Sequence, residues 1–134
     1  MANIEDIEGV GPAIAEKMKA AGVGSVEKLL EMGGTKKGRE SLAEAAEVSE
    51  KLVLKFVNHA DLMRINGVGP QFAEMLEAAG VDSVVELAGR RSDNLATKLA
   101  EVNEAKNLAN RTPSESEVAK WVEEAKSLDR AVHH

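Results

Sequence analysis

The sequence contains no cysteine and no tyrosine, and aromatic residues make up only 2% of its 134 positions. The lack of cysteine excludes disulfides, thiolate nucleophiles and cysteine metal sites, and it is typical of a reducing compartment. With so few aromatic residues, Leu, Val, Ile, Met and Ala must fill the interior. Because hydrophobic residues still make up 43% and charged residues 30%, the composition is globular rather than disordered.

Membrane and export signals are also lacking. No apolar run approaches the roughly 20 residues that span a bilayer, and the N-terminal stretch MANIEDIEG carries acids where a secretory signal carries bases. We therefore expect a cytoplasmic protein with no membrane partner. Positive charge is in deficit as well, because the formal net charge is −6. This deficit opposes nonspecific attraction to nucleic acid unless basic residues gather on one face.

The sequence contains an internal duplication. The stretch IEGVGPAIAEKMKAAGV, residues 7–23, returns 58 positions later as INGVGPQFAEMLEAAGV, residues 65–81. Pro12 and Pro70 suit the first position of a helix, and Gly22 and Gly80 suit the left-handed cap that ends one. Each copy therefore predicts a helix of between two and three turns that begins directly after a glycine turn.

Further helix starts follow each copy. Ser25 and Ser83 read as N-caps, the latter with Glu86 in a capping box. The repeat then continues with altered spacing, since AEV at 46–48 matches 100–102 and KFV at 55–57 matches KWV at 120–122. The difference comes from an insertion around NLANRTPSESE, which predicts a loop and a new helix from Ser114 or Ser116.

The glycine turns indicate an anion site. Glycine tolerates positive φ and lets a ligand approach the backbone. Amides at the start of the following helix lack intrahelical acceptors, and the helix dipole makes that end partly positive. We expect Val10 and Val68 to anchor the turns in the core, and a DNA phosphate fits such a cradle. Substitution of Gly11 or Gly69 is expected to separate fold from function poorly, since a DNA-binding role and a purely structural role of the hairpins both need the glycines.

The stretches GVGPAIA, 9–15, and GVGPQFA, 67–73, resemble the helix-hairpin-helix motif of DNA repair enzymes, polymerases and nuclease accessory domains. This resemblance implies that turn amides grip a phosphate, sometimes with a monovalent cation on turn carbonyls. A Lys or Arg often follows the proline in that family, where this chain has Ala13 and Gln71. Apart from such a cation, we expect no cofactor and no metal.

Three longer stretches carry a second resemblance: GGTKKGRESLAE, VSEKLVLKFVNHADLMRINGVG and LATKLAEVNEAKNLANRTPSESEVAKWVEEAK. Together they are similar to the uncharacterised bacterial and archaeal family catalogued as domain of unknown function 4332. That resemblance implies a fold rather than a reaction. We predict an all-α protein with two helix-hairpin-helix repeats plus additional helices, 1–64 and 65–132, packed as one compact unit.

Basic residues cluster in matching turns of the two copies, at Lys36, Lys37 and Arg39 and at Arg90 and Arg91. We predict that these turns flank the hairpins and focus positive charge there, whereas the alternative is lysine placed for solubility alone. The candidate nucleic-acid-binding set is Gly9, Val10, Gly11, Ala13, Lys17, Lys36, Lys37, Arg39, Gly67, Val68, Gly69, Gln71, Arg90 and Arg91.

Two functions remain open on this basis. The first is a non-catalytic DNA-binding module, with salt-sensitive affinity. The alternative is a protein-protein interaction or scaffold module whose hairpins are structural only, which the acidic composition, Ala13 and Gln71 favour, and which predicts an exposed apolar patch. The stretch from Leu42 to Phe56 also has helix-turn-helix spacing, with a recognition helix that would offer Glu50, Lys51, Lys55 and Asn58 to a groove.

Catalysis is not indicated. His59 has no second histidine within helical reach and is expected to be solvated or to cap a helix. Carboxylate pairs such as Glu123 and Glu124 are adjacent in sequence and carry no acid-base signature. No phosphate-loop lysine motif occurs, and we do not expect an enzyme.

Overall fold

The computed structural model describes residues 2–134, and this part of the chain is built from helices. A 3-10 helix, Ile4–Asp6, is followed by α1 (Pro12–Ala20), α2 (Val26–Gly33), α3 (Lys36–Ala46), α4 (Glu50–Leu62), α5 (Pro70–Ala78), α6 (Val84–Ala88), α7 (Ser92–Lys106) and α8 (Glu115–Lys126). The only β pairing among these residues is an isolated antiparallel bridge between Asn3 and Ser25. The prediction of an all-α fold is confirmed.

The helices that follow the glycine turns begin and end where the repeat predicts. Pro12 and Pro70 are the first residues of α1 and α5. Gly22 and Gly80 come after the ends of these helices with φ values of 92° and 93°, in the left-handed region that favours glycine. Local chemistry therefore sets these bounds.

Serine hydroxyls cap the later helices. Ser83 Oγ accepts the Glu86 amide at 3.1 Å, but within residues 2–134 the Glu86 carboxylate does not return the bond, so the predicted capping box is only half formed. A complete box lies at the predicted start of α8. There Ser114 Oγ accepts the Glu117 amide at 3.2 Å and the Glu117 carboxylate accepts the Ser114 amide at 3.0 Å.

Backbone contacts divide the chain into two compact units. The first unit runs to Asp61 and also includes Ala131–His134, and the second unit is Leu62–Arg130. Within the first unit α2 and α1 each contact α3, and within the second α8 packs against α6 and α7. The predicted repeat boundaries, 1–64 and 65–132, and the packing of the repeats as one unit stay predictions.

Buried apolar positions recur in the two units at the 58-residue spacing of the repeat. Every member of these pairs is less than one-tenth exposed. The pairs are Ile4 and Leu62, Ile7 and Ile65, Val10 and Val68, Ala15 and Ala73, Met18 and Leu76, and Val23 and Val81. The burial of Val10 and Val68 confirms their predicted role as anchors.

The last four residues complete the first unit. Val132 is buried, and the His133 amide donates to the Gly34 carbonyl at 2.7 Å. A Cβ on Gly34 would lie 2.6 Å from the Ala131 carbonyl oxygen, so the absence of a side chain allows this close approach.

No helix among residues 2–134 is long and apolar enough to cross a membrane.

Candidate nucleic-acid interface

The first glycine turn, residues 8–11, connects the 3-10 helix to α1. The Ile7 amide donates to the Ile4 carbonyl at 3.3 Å, and the Val10 amide donates to the Ile7 carbonyl at 3.1 Å. Gly9 has a φ of 92°, which other residues adopt only with strain. Two tight bends and a buried valine therefore fix the direction in which the chain enters α1.

Backbone donors are open where α1 begins. The first α1 amide with a helical acceptor is that of Ala15, which donates to the Gly11 carbonyl at 2.9 Å. Within the described chain, the amides of Gly11, Ala13 and Ile14 have no acceptor. Gly11 and Ala13 are exposed. Free amides at the positive end of a helix are the arrangement that binds anions in many proteins.

Gly11 and Gly69 are not required by the fold. Their φ values of −82° and −91°, with ψ near 180°, are ones that any residue adopts. A Cβ at either position would meet no heavy atom within 4 Å. The expectation that substituting these glycines separates fold from function poorly is therefore wrong, and Gly11 becomes a position where folding and ligand access can be tested separately.

The second glycine turn, residues 66–69, repeats this backbone path but has a different neighbour. Gly67 has a φ of 90°, and the Val68 amide donates to the Ile65 carbonyl at 3.1 Å. The Asn66 amide, however, donates to the carboxylate of Glu124, at 3.1 Å from one oxygen and 3.3 Å from the other. The second turn therefore already holds an anionic group of the chain itself.

Aromatic rings lie under both turns at matching positions. A Cβ on Gly67 would lie 3.2 Å from Trp121 Nε1, and one on Gly9 would lie 3.6 Å from Phe56 Cε1. Phe56 and Trp121 are the residues that the 65-residue spacing of KFV and KWV aligns.

In the same register His59 corresponds to Glu124. His59 is completely buried, so the expectation of a solvated histidine is wrong.

Lys36 and Lys37 are the exposed basic residues of the first unit's basic turn. Both lie in the first turn of α3, where their charge opposes the helix dipole, and neither forms an ion pair with any described residue. Lys37 also lines an open cleft of ≈550 Å³ together with Glu40 and Glu44. Carboxylates therefore lie close to this basic turn.

Arg39 is buried, and its prediction as a phosphate-binding residue is wrong. Its guanidinium donates to the carbonyl oxygens of Gly33 at 3.0 Å, Gly34 at 3.2 Å and His133 at 2.9 Å. The side chain turns under the end of α2, because backbone acceptors from α2 and from the last residues converge there. Arg39 therefore connects the end of α2 to the last residues of the chain.

Arg90 and Arg91 in the second unit are balanced by neighbouring acids. Arg90 forms an ion pair with Glu86 at 3.4 Å. Arg91 donates from Nη2 to Asp93 Oδ2 at 2.8 Å and from Nε to Oδ1 at 3.2 Å. The hydrogen bond from Arg91, with a smaller contribution from the Asn94 amide, holds the pKa of Asp93 below its ordinary value. Both arginines line a cleft of ≈300 Å³ at the start of α7.

Lys17 and Gln71 are exposed on α1 and α5, the helices that follow the two turns. Lys17 forms no ion pair with the described residues, whereas its neighbour Lys19 pairs with Glu5 at 2.9 Å. The hydrogen bond from Lys19 lowers the pKa of Glu5. Lys17 is therefore the uncommitted cation on the helix that begins at the first turn.

The region with helix-turn-helix spacing forms two helices, with Glu47 at the bend in a left-handed conformation, φ 57°. Glu50 and Lys51 are exposed at the start of α4, and Lys55 is half-buried. Asn58 is buried, and its Oδ1 lies 3.0 Å from His134 Nε2. The expectation that Asn58 faces a DNA groove is therefore wrong.

The described residues contain no group of three or more His, Cys, Asp or Glu side chains placed to hold a metal ion. Fold and site together define an all-α protein of two compact units, each with a glycine turn before a helix. The family described as Domain of unknown function (DUF4332) matches residues 8–128, and the chain belongs to this family. No curated protein and no solved structure matches the chain.

Proposed function

We propose that the chain is a non-catalytic, cytoplasmic nucleic-acid-binding module of the helix-hairpin-helix type, which holds DNA phosphates at its first glycine turn. The observation that carries this proposal is the set of open amides on Gly11, Ala13 and Ile14 at the start of a nine-residue helix. A phosphate oxygen is the acceptor that such amides prefer in nucleic-acid complexes.

Exposed lysines supply the long-range attraction in this proposal. Lys17 lies on α1 itself, and Lys36 and Lys37 add two exposed charges in the same unit that form no ion pair with the described residues. Backbone amides and lysines contact phosphates rather than bases, so binding is independent of sequence. The proposal uses three side-chain cations at most, which fits modest, salt-sensitive affinity for a protein with a net charge of −6.

Titration of labelled single-stranded, duplex and branched DNA at several salt concentrations tests the proposal. Binding should weaken as salt rises, with a slope of log affinity against log salt of about −0.9 for each phosphate contact on duplex DNA. A label on the DNA supplies the signal, because Trp121, the single tryptophan, is buried beside the second turn. Absence of binding to all three forms at low salt would reject the proposal.

A protein-interaction or scaffold role is the second candidate. It is favoured by the second unit, where Glu124 occupies the turn and acids pair with Arg90 and Arg91. Among the described large hydrophobic side chains, however, Val85 alone is exposed, at 39%, which gives little support to an apolar docking patch. Light scattering at rising concentration, together with a partner screen, tests this role, which requires stable association.

A further inference from the structure

Glu124 lies against the second glycine turn because of its position on α8. Trp121 and Glu124 are three residues apart, so both side chains lie on one face of that helix. The Trp121 ring packs beside Gly67, and the Glu124 carboxylate accepts the neighbouring Asn66 amide through both of its oxygens, at 3.1 and 3.3 Å. The ring packing and the hydrogen bonds fix the carboxylate at the turn.

The first turn provides an internal comparison. Glu8 occupies the register position of Asn66, and the Glu8 amide has no acceptor among residues 2–134. Phe56 lies under Gly9 as Trp121 lies under Gly67. The two turns share a backbone path, but only the second holds a carboxylate from another helix on its amide, whereas the first carries the exposed acid Glu8 next to Gly9.

We propose that Glu124 is a built-in anion that closes the second glycine turn to external phosphate. The Glu124 carboxylate lies on the Asn66 amide, one residue from Gly67, and a phosphate that approached this turn would be repelled by its negative charge. The turn accepts an external anion only when the Glu124 carboxylate moves away. For nucleic acid this inference rests on the proposed function. It implies that one turn per chain binds phosphate, and that the second turn binds it only after the Glu124 carboxylate has moved.

Backbone amide NMR of the full chain with inorganic phosphate as the probe tests this contact. In the natural protein, phosphate should shift the Gly11 and Ala13 amides and leave those of Gly69 and Gln71 unmoved. In Glu124→Ala the Gly69 and Gln71 amides should shift as well. Glu123→Ala is the matched control, because it removes the adjacent exposed acid, paired with Lys126 at 3.4 Å, and should behave like the natural protein.

Two results would overturn the inference. One is an equal phosphate response of the second turn in the natural protein and in Glu124→Ala. The other is a second turn that stays silent in a folded Glu124→Ala chain. If the natural protein binds no DNA while the amide shifts follow the expected pattern, only the proposed nucleic-acid function fails and the closing role of Glu124 stands.

Hydrogen exchange on the unmodified chain gives a second measurement that needs no variant. After correction for intrinsic rates, the Asn66 amide should exchange about tenfold more slowly than the Glu8 amide, since only Asn66 donates to a charged acceptor. Equal protection of the two amides would mean that the Glu124 contact is not maintained in solution and would also overturn the inference.

Discussion

Arg39 carries its charge inside the first unit, where three carbonyl oxygens accept its hydrogen bonds. Arg39→Ala should lower the free energy of unfolding by about 2–3 kcal/mol. Each hydrogen bond to a charged group contributes about 1.5–3 kcal/mol, but water that enters the vacated space would replace part of what the three lost bonds contribute. Urea unfolding measures this change. The exposed Lys37→Ala should stay within about 0.5 kcal/mol of the natural protein. Equal stability of the two variants would contradict the role given to Arg39.

Glu117 carries the largest resolved pKa shift among the acids. Hydrogen bonds from Arg111, at 2.7 and 2.9 Å, and from the Ser114 amide lower its pKa from 4.5 to about 2. A lowered pKa in the folded state adds stability above pH 4.5, which is lost as pH falls toward about 2. Glu117→Gln should therefore flatten the loss of unfolding free energy between pH 5 and pH 2. A fall as steep as in the natural protein would argue against this pair.

The burial of a side chain was predictable where neighbours in sequence determine it, and it was not predictable where residues distant in sequence do. The burial of Val10 and Val68 follows from an apolar residue between two glycines in a tight turn. The burial of Arg39 depends on His133, 94 positions away. A basic residue in a glycine-bounded turn is normally exposed, so sequence alone could not place it inside.

The two glycine turns differ in how tightly a neighbour packs on the positive-φ glycine. Gly9→Ala and Gly67→Ala should each cost about 1–2 kcal/mol, since a Cβ is strained in the left-handed region. Gly67→Ala should cost more, because Trp121 Nε1 would lie 3.2 Å from the new Cβ, whereas Phe56 Cε1 would lie 3.6 Å from that of Gly9. Urea unfolding of both variants measures the difference. A larger loss for Gly9→Ala would contradict this packing.

Helix bounds were predictable because caps act within one turn of the chain. Pro12, Pro70 and Ser114 begin helices at the expected positions. The contact between α8 and the second turn was not predictable from such signals. The spacing of KFV and KWV aligns Trp121 with Phe56, and that alignment is the signal that could have directed attention to Glu124, one helical turn later.

For the chain as a whole, the two units carry the same formal net charge, −3 each, but their basic turns differ in ion pairing. Lys36 and Lys37 lack ion pairs, whereas Arg90 and Arg91 are balanced by acids. A sequence-level net charge of −6 could not reveal this difference, because it depends on which side chains meet. The duplication predicted two similar halves, and the structure gives them similar cores with different surface electrostatics.

Charge reversal of the first unit's basic turn tests its part in binding. Lys36→Glu with Lys37→Glu should reduce the salt slope for DNA by up to about 1.8, at about 0.9 per lost contact. Folding should be unharmed or slightly improved, by about 0.3–1 kcal/mol per residue, because acids complement the start of α3. Reversal of Lys98 and Lys120, which are exposed in the second unit, is the control and should leave the slope nearly unchanged. Equal slopes in both double variants would remove Lys36 and Lys37 from the site.

Comparison of Gly11→Ser with Gly69→Ser tests most directly whether the first turn is the anion site. Serine fits the backbone at both positions and is a somewhat better N-cap than the natural glycine, so both variants should fold with stability within about 1 kcal/mol of the natural protein. Its hydroxyl would accept one of the open amides of the first helical turn and would place a side chain where a phosphate has to approach. We predict that Gly11→Ser weakens DNA binding about tenfold or more, whereas Gly69→Ser binds like the natural protein. Equal DNA affinities for the two variants, whether both natural or both weakened, would contradict the account.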